Sequence, residues 1–138
     1  MKLPRLVGPV LAILGILSLI NGSEMFFFPS RWFFKLVPGV PDTGPFNAHL
    51  VADGGAFNLA LGVGLLIAAR DPARHWAVLM TAALAGVIHS ALHLWSHETG
   101  ILPFNHMATE AFGIYVPALI LTVLSYLGWR ASSARHPA

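Results

Sequence analysis

Four stretches of this chain, at about 6–28, 47–69, 76–95 and 104–129, are apolar and long enough to cross a bilayer, which takes roughly 20 residues. No other feature limits the possible folds as strongly. In lipid the backbone must satisfy its own hydrogen bonds, so apolar segments of this length become helices. Composition agrees: 56% of the 138 residues are hydrophobic and 10% are charged, with a mean hydropathy of +0.69. A soluble domain carries about 25% charged residues, so most of this surface meets lipid. The reading is an all-α, integral membrane four-helix bundle, with residues 1–138 forming a single transmembrane domain.

The ends of the spans carry signals. Arg70-Asp71-Pro72 stops the second, His97-Glu98-Thr99-Gly100 the third and Arg130 the fourth. The first segment, basic at its start and apolar after, has the outline of a signal peptide. Its residues near Asn21-Gly22 match a cleavage site poorly, and the apolar run resumes at Met25-Phe26-Phe27-Phe28. It is expected to stay as a membrane helix.

Basic residues set the orientation. Lys2, Arg5, Arg70, Arg74, Arg130 and Arg135 share one side of a four-span chain, against Arg31 and Lys35 on the other. Both termini are therefore expected to be cytoplasmic, and Trp32, Trp76, Trp95 and Trp129 fall near the two interfaces. The outer connection between helices 1 and 2, "PSRWFFKLVPGVPDTGPFN", is expected to hold a short interfacial helix around Trp32-Phe33-Phe34. A stiff proline-glycine turn follows, folded over the outer mouth of the bundle.

Several chemistries are excluded. With no cysteine there are no disulfides, thiolate metal sites or cysteine nucleophiles. No span contains a lysine for a retinal Schiff base. Ser90 follows His89 directly and so points elsewhere, which argues against a serine hydrolase. A net charge of +2 without a basic patch gives no nucleic-acid footprint.

The polar residues that remain fall at one level, in the outer half of the membrane. His49 and Asp53 lie on helix 2, His89, His93 and His97 on helix 3, His106 and Glu110 on helix 4, and Asn21 and Glu24 at the end of helix 1; His75 and His136 lie on the cytoplasmic side. Helical spacing puts His49, Asp53, Ala56 and Ala60 on one stripe. Ala82, Gly86, His89 and His93 form a second, and His106, Glu110, Gly113 and Pro117 a third. Small residues favour close helix packing in lipid, so all three stripes are expected to face inward. His97, beside Glu98, reads as a helix end and the most dispensable of the three helix-3 histidines.

Neutral imidazole and carboxylate are metal ligands. The expected site is His49, Asp53, His89, His93 and Glu110, with Glu24 and His106 at its edge. It would bind iron, copper or zinc, or a redox cofactor, for oxidation of a small or lipophilic molecule. Bis-histidine haem between His49 and His89 or His93 is a weaker option. Two alternatives stay open: an accessory or structural subunit of a larger membrane complex, and a proton-coupled binding protein for a small molecule or lipid. The expected partners are the bilayer and a membrane protein or a second copy.

The stretch "GILSLINGSEMFFFPSRWFFKLVPGVPDTGPFNAHLVADGGAFNLALGVGLLIAA" resembles the DoxX-like group of small four-helix bacterial membrane proteins. The likeness covers roughly the first half of the chain, and "HSALHLWSHE" is a similar His-rich end to helix 3. It implies a four-helix bundle in a bacterial inner membrane. The group is not united by one activity, so the resemblance implies no mechanism.

Overall fold

The structure is a computed structural model that describes residues 3–135. Lys2 and His136, two of the residues given a cytoplasmic place above, lie outside the described residues. Four helices are long and apolar enough to cross a membrane: α1 (Val7–Phe27), α2 (Ala48–Arg70), α3 (Trp76–Glu98) and α4 (Phe104–Ser133). No strand occurs among the described residues. Asn47 caps α2, its side chain accepting from the Leu50 amide at 3.1 Å. α3 runs three residues past its expected end at Trp95, which carries His97 into the helix.

α4 is not uniform. It opens with a 3₁₀ turn, Phe104–His106, and after Glu110 widens into a π turn, Ala111–Tyr115. Pro117 is the physical cause. It has no N–H for the Gly113 carbonyl, and its ring pushes that carbonyl aside.

The bundle consists of two antiparallel pairs. In the first, Gly8, Gly15 and Gly22 of α1 face Ala69, Gly62 and Gly55 of α2, a seven-residue repeat on both strands of the seam. A Cβ at Gly8, Gly15 or Gly22 would lie 2.9, 3.0 or 2.9 Å from the facing carbonyl oxygen, so the helices pack backbone to backbone. In the second pair Gly86 of α3 meets Ala118 of α4, and Gly128 of α4 lies against the Pro72 carbonyl.

The pairs meet tightly at the end that carries the 71–75 hairpin, here the terminal end. Leu11, Leu65, Ala68, Leu79, Ala82 and Leu121, drawn from all four helices, form a buried core there. Asp71 and Arg135 close this end with bonds of 3.0 and 2.9 Å. The Arg135 guanidinium, helped by the Arg74 amide, holds the Asp71 carboxyl below its usual range. Large apolar side chains such as Ile13, Leu84, Ile88 and Leu119 cover the outside, as a lipid-facing surface requires.

At the opposite, loop end the pairs separate. The chain between α1 and α2 forms a short helix, Pro29–Arg31, that runs into a π turn, Trp32–Leu36. Phe33 is buried there against Met25 and Val51, with Phe46 packed on it at 5.1 Å. Gly39, at φ +83, turns the chain back across the mouth.

Candidate functional site

A cavity of about 1810 Å³ lies between the two helix pairs and is lined mainly by apolar side chains. It runs from the loop end down to Leu65, Val78 and Leu121, where the packed core closes it. The 36–45 segment roofs part of it. His106 bridges that roof to α4: its Nε2 is 3.3 Å from Asp42 Oδ2, and its ring sits so close to Gly39 that a Cβ there would meet Nδ1 at 2.8 Å. The connection between α1 and α2 does fold over the mouth of the bundle, as expected from the sequence.

The polar centre of the α3–α4 wall is Glu110. His97 Nε2 is hydrogen-bonded to its Oε2 at 2.9 Å, and Tyr115 donates to the same oxygen at 3.4 Å. His93 Nδ1 lies 3.1 Å from Oε1. That contact is close but out of line, so this buried nitrogen lacks a well-directed partner. Glu110 and His93 are largely buried and both line the cavity. His89 lies one turn deeper, its ring 4.7 Å from that of His93.

His97 differs most from expectation. It is 1% exposed, the most enclosed polar side chain described. The helix does end beside it, but the chain doubles back. Gly100, at φ +74, reverses direction, and the Leu102 amide returns to the Ser96 carbonyl at 3.1 Å. Phe104 then stacks on the imidazole at 5.6 Å. His97 Nδ1 lies 3.3 Å from the Leu102 carbonyl. The ring is thus held between two oxygen acceptors, Leu102 O and Glu110 Oε2. Two arrangements satisfy this: imidazolium with carboxylate, or imidazole with carboxylic acid. In both the pair is neutral overall, which suits an enclosed place.

The opposite wall satisfies itself. Ser18 donates to the Asn58 carbonyl at 2.8 Å, Asn58 donates to the Gly54 carbonyl at 3.0 Å, and Trp32 donates to Asn21 at 2.8 Å. Glu24 reaches the cavity rim and is ion-paired with Arg31, whose guanidinium lies over the Phe28 ring at 4.7 Å.

The expected set of ligands is therefore divided. His89, His93 and Glu110 come together. His49 and Asp53 pair only with each other, at 3.5 Å, with their side chains 89% and 53% exposed. Along the α2 stripe, His49, Asp53 and Ala56 are exposed and do not line the cavity, whereas Ala60, deeper along the helix, does. The cause is the glycine seam: Gly55 and Gly62 allow a closer approach to α1 than alanine does, and they take the packing face. Haem ligation between His49 and the α3 histidines loses its geometry for the same reason. Glu24 and His106 lie at the rim, each with another partner. Among the described residues no three His, Asp or Glu side chains converge as a metal site.

Sequence reasoning missed His97 and Tyr115. His97 had a signal: it lies one turn from His93, so both can reach one acceptor. Tyr115 had a subtler one. It lies five positions after Glu110, a spacing that aligns across a π turn, and Pro117 marks that turn.

Fold and cavity define the class, a multi-pass helical membrane protein. No family model matches the chain, and neither does any curated protein or solved structure.

Proposed function

We propose that this chain is a DoxX-like protein of a bacterial inner membrane that binds a lipophilic small molecule between its two helix pairs. The observation that carries this reading is the cavity of about 1810 Å³, apolar over most of its lining and bearing one built polar group, His93–Glu110–His97, near its loop end. Binding sites for small molecules have this character: mostly apolar, concave, with few and well-held polar groups. The reading keeps the lipid-binding alternative open in the sequence. A metal or redox cofactor, with oxidation of the bound molecule, has less support, because histidines and Tyr115 already surround both Glu110 oxygens.

The orientation belongs to the same proposal. Arg5, Arg70, Arg74, Arg130 and Arg135 gather at the terminal end, which supports a cytoplasmic place for both termini. The cavity mouth then lies on the outer side, and the 29–36 segment, with Arg31, Trp32 and Lys35, rests in the outer interface.

Native mass spectrometry of the full-length protein tests the reading, with methyl hexadecanoate as a neutral apolar probe. The probe is expected to bind saturably. Ala85→Trp, which fills the cavity from an exposed position on α3, is expected to abolish binding while the helical circular dichroism spectrum is retained. Equal binding to both proteins would overturn the reading.

A further inference from the structure

We infer that the molecule bound in the cavity is an alkyl-chain amphiphile whose head is an O–H donor, held by His93 Nε2. The inference rests on the cavity-binding reading and specifies its ligand.

Shape selects the chain. The cavity is lined by α3 from His93 down to Val78, about 22 Å of helix at 1.5 Å per residue. It is lined by α2 from Leu50 down to Leu65, about the same length. The built polar cluster stands near one end, and the packed core stops the other. A cavity of this length takes an extended alkyl chain with its head toward the loop end and its tail against Leu65 and Leu121, and its volume of about 1810 Å³ leaves room beside that chain.

Tautomer selects the head. His93 has two ring nitrogens. Nδ1 is buried and faces the Glu110 carboxyl, 3.1 Å from Oε1. In both arrangements of the His97–Glu110 pair the shared proton lies between Nε2 and Oε2, so Oε1 is an acceptor and favours the His93 tautomer that carries the ring proton on Nδ1. The out-of-line contact improves by a small turn about the soft terminal torsion of the ring. His97 and Tyr115 hold the other Glu110 oxygen, so the carboxyl group is fixed and cannot swing away to free Nδ1. Nε2 is then the only nitrogen through which this cavity-lining side chain meets a ligand, and in this tautomer it carries a lone pair and no hydrogen. Its partner must donate. A neutral carboxylic acid or an alcohol does so through O–H; an ester or an ether does not. The bond needs no net proton transfer: the ligand O–H donates to Nε2, and Nδ1–H stays toward Glu110.

Competition experiments on the full-length protein in lipid nanodiscs test this. Hexadecanoic acid, hexadecan-1-ol and methyl hexadecanoate share one chain and differ only at the head. The acid and the alcohol are expected to bind about 10- to 100-fold more tightly than the ester, the range for leaving a buried acceptor unpaired. Equal preference for both would identify the hydroxyl as the recognised group; a preference for the acid alone, with the alcohol no tighter than the ester, would overturn the O–H assignment in favour of the carboxyl group. In His93→Phe, the preference is expected to collapse to within about twofold while saturable ester binding is retained, which also shows that the variant folds. His93→Gln, whose amide oxygen accepts, is expected to restore part of the preference. An ester that binds the native protein as tightly as the acid and the alcohol would overturn the assignment of His93 and leave the cavity reading standing. If none of the three binds saturably, the cavity reading itself fails.

Discussion

Gly62→Ala is the sharpest perturbation of the α1–α2 seam. A Cβ at this position would lie 2.8 Å from the Gly15 carbonyl oxygen and 2.7 Å from Leu19 Cγ. Leu19 can change rotamer, but the carbonyl belongs to the α1 backbone and moves only with the helix. Ordinary contact begins near 3.4 Å, so the helices must part by about half an ångström at this level. Because the seam repeats every seven residues, the strain is shared with the Gly8–Ala69 and Gly22–Gly55 levels. Overpacking costs about 1–3 kcal/mol, and the better helix propensity of alanine offsets up to about 1 kcal/mol. A net loss of about 1–2 kcal/mol lowers Tm by about 3–10 °C for a chain of this size. The assay is intrinsic tryptophan fluorescence during heating in one fixed detergent. Gly113→Ala is the matched control, because a Cβ there meets nothing within 4 Å. Its Tm is expected to equal or exceed the native value. A Gly62→Ala protein as stable as native, or as stable as Gly113→Ala, would refute the backbone-to-backbone seam.

Other perturbations probe the site and the two ends. Glu110→Leu leaves His97 enclosed with Leu102 O as its one remaining acceptor, and a loss of about 1–3 kcal/mol is expected in the same melting assay. His97→Ala is expected to cost more than His49→Ala, whose side chain is 89% exposed; equal costs would contradict the burial of His97. At the cavity roof, Asp42→Ala removes the partner of His106 (3.3 Å) and is expected to raise the probe association rate in stopped-flow fluorescence with little change in Tm. The Asp71 carboxyl, held low by Arg135 and the Arg74 amide, gives a signed pH dependence. Its contribution is present above the unfolded carboxylate pKa, about 3.9, and is lost as pH falls through the lower folded value. The Tm gap between native and Asp71→Asn proteins is therefore small at pH 7, the pair being solvent-exposed, and is expected to close toward pH 3.

The four spans were legible because lipid imposes one requirement, about 20 apolar residues, and Asn47, Arg70-Asp71-Pro72 and Trp76 punctuate them. Facing was only partly legible. Helical period assigns residues to a stripe but does not say which stripe turns inward. On α3 and α4 the stripes through His93 and Glu110 do face the cavity. On α2 two stripes competed, and the one with His49 and Asp53 stayed outside. Two physical reasons decide this. Apolar surface gives little drive to helix association in lipid, so the closest backbone approach wins, and a glycine repeat outranks an alanine stripe. Asp53 also lies little more than a turn inside the start of α2 at Ala48. There a carboxylate can reach the headgroup region, and the penalty that would drive it inward is weak. Depth along a helix misled at His97 for the opposite reason. Its level was right, but the Gly100 reversal, which brings Leu102 and Phe104 back over the ring, lies in the connecting loop, and periodicity within α3 carries no trace of it. Polar residues near a span's end are therefore placed by loops and seams, and those at depth by desolvation. The Glu110 cluster combines the two: a carboxyl group set on the inward stripe of α4, and a histidine enclosed by the chain that joins α3 to α4.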